Sequence, residues 1–404
     1  MKSSSAVRPE RKSRNTRRSV KDEYGHIPYL GEEPAPLFNL RGLALAALVS
    51  LVACWPMLLS DAAYVFVDTA SYYKAGQEIW GIVLAQLEKV LPVTEVAGAI
   101  VGDSASATPP TAEQLTFDGE PRFGRSIAYS AFAYPILTSM GAFGLAWAQG
   151  TLTLIALFAL VTSQMLQARN VLVFGLVLMI VTTQLPWRIV YLMPDIFAAT
   201  IIIFGAALMG PFDHFRCSQK VALTCLAVFA VSTHYGNIPF AVGLLGLVLV
   251  WRIVTARFAI APAVAALITV AASPLANLGA SHAVLQNPSA VPLRLPIVLA
   301  RSIQDGPGAM YLNENCGVED WAICEAFGDD IPKSIRDFLW SDEGIRAQSP
   351  DMVQRIRDEE LSLLTSIFFA YPVGQGWSLA RNSVLQMIRI GQGQMSAVPD
   401  VEGF

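Results

Sequence analysis

The chain carries uncharged apolar runs that are too long for a soluble fold. No Asp, Glu, Lys, Arg or His interrupts it between Arg41 and Asp61, between Arg125 and Arg169, between Asp195 and Asp213, or between Arg257 and His282. Runs of about 18 or more apolar residues read as membrane-crossing helices, because a span must satisfy its backbone hydrogen bonds internally across about 30 Å of hydrocarbon. Of the 404 residues, 53% are hydrophobic and 15% charged, against about 25% charged in a soluble domain. That composition argues against a soluble enzyme and against a disordered chain. A formal charge of −4 gives no basic field for a nucleic-acid backbone. Five cysteines are too few for a disulfide-dense scaffold. The expected fold class is all-α, a polytopic helical membrane protein.

Residues 1–38 are polar. Up to Arg41 there are nine Lys/Arg against five acids, and Pro28, Pro34 and Pro36 break any helix. This segment reads as a basic, disordered cytoplasmic tail rather than a cleavable signal peptide. Positive charge beside the first run puts the N-terminus on the cytoplasmic side. The transmembrane core, 39–276, then holds seven spans near 40–60, 141–166, 171–185, 189–209, 221–233, 237–251 and 258–276. It includes a long outer loop, 61–140, in which the apolar stretch 127–139, interrupted by Pro135, reads as a short interfacial helix. An outer-face polar segment, 277–404, follows. Its apolar stretch 361–372 would rise only about 18 Å as a helix, so it reads as interfacial, with a stretched eighth span as the alternative. This count places Arg169, Arg216, Lys220, Arg252 and Arg257 inside, and the acidic segments 61–128 and 277–360 outside. Arg188 is the single exception to the positive-inside bias. A bacterial inner membrane, with long loops in the periplasm, is the expected location.

Cys54 and Cys225 fall within spans and Cys217 in a cytoplasmic turn, where burial as small hydrophobes is the ordinary state. Cys316 and Cys324 lie eight positions apart in the outer segment. An oxidising compartment predicts a local disulfide between them.

The residues able to do chemistry gather at the outer face. Asp61 and Asp68 bracket the stretch before Ser71, Tyr72, Tyr73, Lys74 and Gln77. Helical spacing puts Asp68 and Tyr72 on one face if the helix has begun by Asp68; the alternative is that Asp68 caps a helix starting at Thr69. Arg122 and Arg125 precede the 127–139 stretch, either anchoring in headgroups or binding a phosphate or pyrophosphate. Asp195 follows Met193-Pro194 near the outer end of the fourth span, either facing a wet cavity or pairing with Arg188. His234 sits in the outer turn between the fifth and sixth spans, either as an ordinary interfacial histidine or as part of a site. The span interiors are almost free of ionisable groups, unlike those of an ion-coupled transporter.

The stretch Asp68-Thr-Ala-Ser-Tyr72, the segment Tyr129-Ser-Ala-Phe-Ala-Tyr134-Pro135 and the later Trp147-Ala-Gln149 resemble the GT-C superfamily of integral-membrane glycosyltransferases. The resemblance covers about residues 40–280. It implies transfer of a sugar from a polyprenyl-phosphate carrier to an envelope acceptor, with the membrane lipid supplying the donor. It also implies a catalytic acid residue in the first outer loop, which Asp68 matches best and Asp61 second. Tyr72, Lys74, Arg122, Arg125, Asp195 and His234 would then bind substrate. The loop has no Asp-x-Asp pair, so a divalent metal cofactor has no motif behind it. Two rival readings are a flippase or transporter for an envelope glycan lipid, and a non-catalytic scaffold of an envelope complex.

Overall fold

The computed structural model describes residues 40–60, 62–90, 116–117, 120–121, 125–164, 174–175, 178–180, 182–285, 295–328, 330–388 and 396–398. The 1–38 tail, Asp61, Arg122, Arg169 and six of the fifteen residues of the expected third span lie outside them. The described chain is mainly helical. Leu40–Ala53 (α1) and Trp55–Ser60 (α2) lead into the strand Ala63–Val65 (β1) and the helix Val67–Val90 (α3). Thr116–Phe117 (β2) and Glu120–Pro121 (β3) form a minimal antiparallel pair. Next come Ile127–Gln164 (α4), Leu185–Val190 (α5), Ile196–Leu208 (α6), Cys217–Ser232 (α7), Asn237–Val254 (α8) and Ile260–Leu285 (α9).

Among the described residues, four helical stretches are long and apolar enough to cross a membrane: Gly42–Ser60, Ile127–Val161, Asn237–Val254 and Ile260–Ala283. The apolar helices α6 and α7 have 13 and 16 residues, about 20 and 24 Å of rise. They fall short of the full hydrocarbon thickness. The expected seven spans are therefore not reached among the described residues. Where the fourth span was expected as one helix, the chain unwinds over Tyr191–Pro194. Pro194 has no N–H to donate and disfavours helix at Met193. The freed backbone finds partners elsewhere: Leu192 N–H donates to Tyr64 O at 3.0 Å, and Gln149 Nε2 donates to Ile189 O and Tyr191 O at 2.7 and 2.8 Å. Irregular backbone among apolar helices persists only when paired in this way.

Pro135, expected to interrupt the 127–139 helix, is instead carried inside α4. A proline frees the carbonyl four residues before it. That carbonyl, Ala131 O, accepts from Trp80 Nε1 at 2.9 Å, so the indole of α3 replaces the missing donor. The break comes later, at Gly141, whose φ of 69° and ψ of −172° suit only a residue without Cβ. α3 and α4 pack closely at Gly76, where a Cβ would lie 2.5 Å from Tyr134 Cβ and 2.6 Å from Ser130 O. Small residues at helix contacts are how apolar helices approach one another in lipid. α9 continues past the expected boundary at 276 and buries Asn277 and Ser281.

The polar C-terminal segment is a packed helical unit with its own core. Ile297–Asp305 (α10), Pro307–Asn315 (α11), Ala322–Phe327 (α12), Ile335–Trp340 (α13), Pro350–Ala370 (α14) and Pro372–Ile388 (α15) enclose Leu299, Leu312, Ile323, Phe338, Ile356, Leu363 and Ile367. The 361–372 stretch is the end of α14 and the start of α15, and Leu363 and Ile367 point into this core. Buried Glu360 accepts from Leu299 N–H at 3.2 Å. Arg301 Nε donates to Asp305 Oδ2 at 3.0 Å. Cys316 and Cys324 are joined as expected, with Cα atoms 5.3 Å apart. Closing an eight-residue loop contributes about 2–3 kcal/mol in the chain-entropy picture. After α15 the strand Ser396–Val398 (β4) returns to pair antiparallel with β1, Ala63 opposite Val398 and Val65 opposite Ser396.

Candidate functional site

One end of the apolar bundle brings together the start of α3, the start of α4, the unwound 191–195 segment and the turn between α7 and α8. A cavity of about 300 Å³ opens there. Its walls include Asp68, Asp195 and His234, together with Arg188, Phe66, Tyr191 and Met193. Three residues expected to share a site thus share one.

Each wall has a local cause. The helix α3 has begun by Val67, so Asp68 is inside its first turn and is not the cap. Thr69 Oγ1 instead accepts from Phe66 N–H at 3.0 Å and donates to Leu192 O at 3.1 Å. That double bond pins the α3 entry to the unwound segment. Ser126 Oγ donates to Ser232 O at 2.6 Å, and Tyr235 hydroxyl donates to Arg125 O at 3.2 Å. These tie the start of α4 to the His234 turn. Gly236 N–H donates to His234 Nδ1 at 3.0 Å, which leaves the proton of the neutral ring on Nε2. Below lie edge-on aromatic contacts: Phe197 is 6.2 Å from Phe132 and 5.2 Å from Phe229 between ring centroids.

Arg125 donates to the Asp68 carboxylate. It therefore serves the carboxylate directly and is not set apart as a headgroup anchor. Tyr72 lies one turn after Asp68 on the same face, as the spacing predicts, and is buried with its ring 5.0 Å from Tyr129. Tyr129 hydroxyl donates to Gln149 Oε1 at 3.1 Å, and Gln149 holds the Ile189 and Tyr191 carbonyls. Tyr72 and Tyr129 thus back the cavity wall. Lys74 is exposed on α3 and does not line the cavity. Asp61 and Arg122 lie outside the described residues.

Arg188 was not chosen as a site residue from sequence. The signal was present, since it is the one cation that breaks the positive-inside pattern.

Burial raises the Asp68 carboxyl above its ordinary value of 3.8, and Asp195 adds to this, while Arg125 and His234 pull it back. Burial lowers His234 below its ordinary 6.5, and Arg125 adds to this, while Asp195 and Asp68 oppose it. Burial, reinforced by Asp195, pushes the Tyr191 hydroxyl up to about 12, so it remains a donor at neutral pH. The arrangement offers a carboxylate poised to take a proton, a second carboxylate, a neutral imidazole and a guanidinium beside an apolar bundle. Among the described residues, no group of three or more His, Cys, Asp or Glu side chains is arranged to hold a metal ion. Comparison with protein-family models, curated proteins and solved structures finds no match for this chain.

Proposed function

We propose that the chain is a membrane glycosyltransferase that moves a sugar from a polyprenyl-phosphate carrier to an envelope acceptor at the non-cytoplasmic face. The observation carrying this reading is the meeting of Asp68, Arg188, Asp195 and His234 around one cavity at the end of an apolar bundle. A lipid-linked donor has a phosphate at the headgroup level and a tail that must stay in hydrocarbon, and such a cavity serves both. In a bacterial inner membrane that end would face the periplasm. The opposite end carries Arg216, Lys220 and Arg257, which suits a cytoplasmic side. β4 pairs with β1, just before the start of α3 at the site, which supports an outer position for that strand.

Asp68 acts as the base. Its carboxylate takes the acceptor hydroxyl proton as that oxygen bonds to the anomeric carbon, and the bond from that carbon to the carrier phosphate oxygen breaks. The displacement inverts the anomeric centre, and the polyprenyl phosphate leaves with the electron pair. Arg188 faces the charge growing on that phosphate. Arg125 holds Asp68 ionised and oriented. Asp195, His234 and the Tyr191 hydroxyl can bond sugar hydroxyls. A flippase would need ionisable groups along a path through the bundle. The four long apolar helices carry only Arg252 and His282 among Asp, Glu, Lys, Arg and His, each within a turn of its helix end.

Comparing envelope glycans in cells with and without the gene tests the proposal. A sugar should be missing from one glycan and return with the wild-type gene; an unchanged glycan profile overturns it. The pH profile of transfer tests the base. Ionised Asp68 is the active form and its carboxyl is raised, so the rate should fall on the acid side with a midpoint above 3.8. His234 is lowered below 6.5, so its titration should not shape the profile between pH 7 and 8. A rate that rises on acidification would contradict both assignments.

A further inference from the structure

The last long helix of the C-terminal unit, α15, is amphipathic in the reverse sense for a helix in water. Its polar side faces the protein: Gln375 Nε2 donates to Ser302 Oγ at 2.5 Å, and Asn382 Nδ2 donates to Asp305 Oδ2 at 2.6 Å. Its apolar side faces away. Val373, Trp377 and Val384, which recur on one helical face, are 83%, 70% and 57% exposed. Exposed Phe368 and Phe369 at the end of α14 extend the patch. An apolar surface of this kind marks an interaction site rather than a wet surface.

The tethers bear on what covers it. β4 is hydrogen-bonded to β1, and β1 begins three residues after Ser60, the end of the first membrane-crossing stretch. Eight positions separate Ile388, the end of α15, from Ser396 at the start of β4, a reach of no more than about 29 Å. The tether thus bounds how far the end of α15 can stand from the strand that follows the first span, on the same side of the membrane as that strand. The chemistry of the apolar face fits the membrane–water boundary. Tryptophan is favoured at that boundary. Exposed Arg381, the one charged residue on α15, can lay its stem on the apolar surface and keep its guanidinium among headgroups.

We propose that the Phe368–Phe369 corner and the outer face of α15 lie in the headgroup–acyl boundary of the membrane that the bundle crosses. The helix docks to the protein by hydrogen bonds and to the lipid by its apolar stripe, as an in-plane amphipathic helix does. This holds the C-terminal unit against the bilayer, on the strand that leads into Asp68. The proposal does not depend on the reaction assigned to the cavity.

Spin labels on the full-length protein in bilayers of phosphatidylethanolamine and phosphatidylglycerol test it. The exposed free cysteines are first removed as Cys217→Ser and Cys225→Ser. Nitroxides are then placed by Val373→Cys and Val384→Cys, with Asp351→Cys, at an exposed position on α14, as the reference. Accessibility to oxygen relative to a water-soluble nickel complex should be several-fold higher at 373 and 384 than at 351. A ratio equal to the reference at both positions means the face is in water and overturns the proposal. Exclusion of both reagents means a protein surface, a second copy or another chain, covers it, and overturns the proposal equally. All three labels sit on exposed side chains, so the comparison is made among variants that fold alike.

Discussion

Replacing Asp68 with asparagine should lower the rate of sugar transfer by about 100-fold or more, the usual cost of losing a positioned general base. The change is nearly isosteric. The amide oxygen still accepts from Arg125, so the start of α3 and the thermal stability should hardly move. What disappears is the capacity to accept the acceptor's proton. The loss should therefore fall on kcat, with KM for the lipid-linked sugar nearly unchanged, since the carrier phosphate is assigned to Arg188. The acid limb of the pH profile should vanish with the carboxylate that produces it. The measurement is single-substrate transfer from a radiolabelled polyprenyl-phosphate sugar in proteoliposomes, with wild type and variant matched for amount. Near-normal transfer by Asp68→Asn would remove Asp68 from the chemistry and leave it as a partner of Arg125 only.

The uneven legibility of this chain in its sequence has physical reasons. Long apolar runs report helices directly, because a backbone in lipid has few other ways to satisfy its hydrogen bonds. Asp68, Arg125, Asp195 and His234 were legible because charges are costly near apolar runs and so must be paired or used. The break at Pro194 was only half legible. Proline says that a helix falters, but the partners that make the break tolerable, the Gln149 amide as donor and the Tyr64 carbonyl as acceptor, come from distant parts of the chain. The same holds at Pro135, where Trp80 supplies the donor and the helix runs on. The C-terminal core was hidden by the shortness of the 361–372 stretch. The more telling pattern was Ile356, Glu360, Leu363 and Ile367, one face of a single amphipathic helix. The pairing of β1 with β4 spans nearly the whole chain, and nothing local announces it.

At the other end of the bundle, Asp213→Ala should destabilise the protein more than Arg252→Leu does. Charge counting treats Arg252 as one more cytoplasmic cation, but its side chain is 1% exposed. Nη1 donates to Leu208 O at 2.6 Å, and Nη2 donates to Asp213 Oδ2 at 2.7 Å. Asp213 is 36% exposed, so the two partners are unequally dependent on each other. Remove Asp213, and a buried guanidinium keeps a single carbonyl while Lys220 Nζ stands 3.3 Å from the Asp213 carbonyl. Stranding a buried charge in this way costs about 3 kcal/mol. Remove Arg252 in favour of leucine, and the Asp213 carboxylate turns to water while apolar side chain fills much of the space. Replacing a buried ion-pair member by a hydrophobe of similar size is often close to neutral. Thermal unfolding of the two variants in detergent micelles should show the larger fall for Asp213→Ala. Transfer activity, measured below both transitions, should be retained, because this pair lies at the end away from the cavity. The reverse order of stabilities would mean that the guanidinium stem and its bond to the end of α6, rather than relief of a buried charge, hold that corner together.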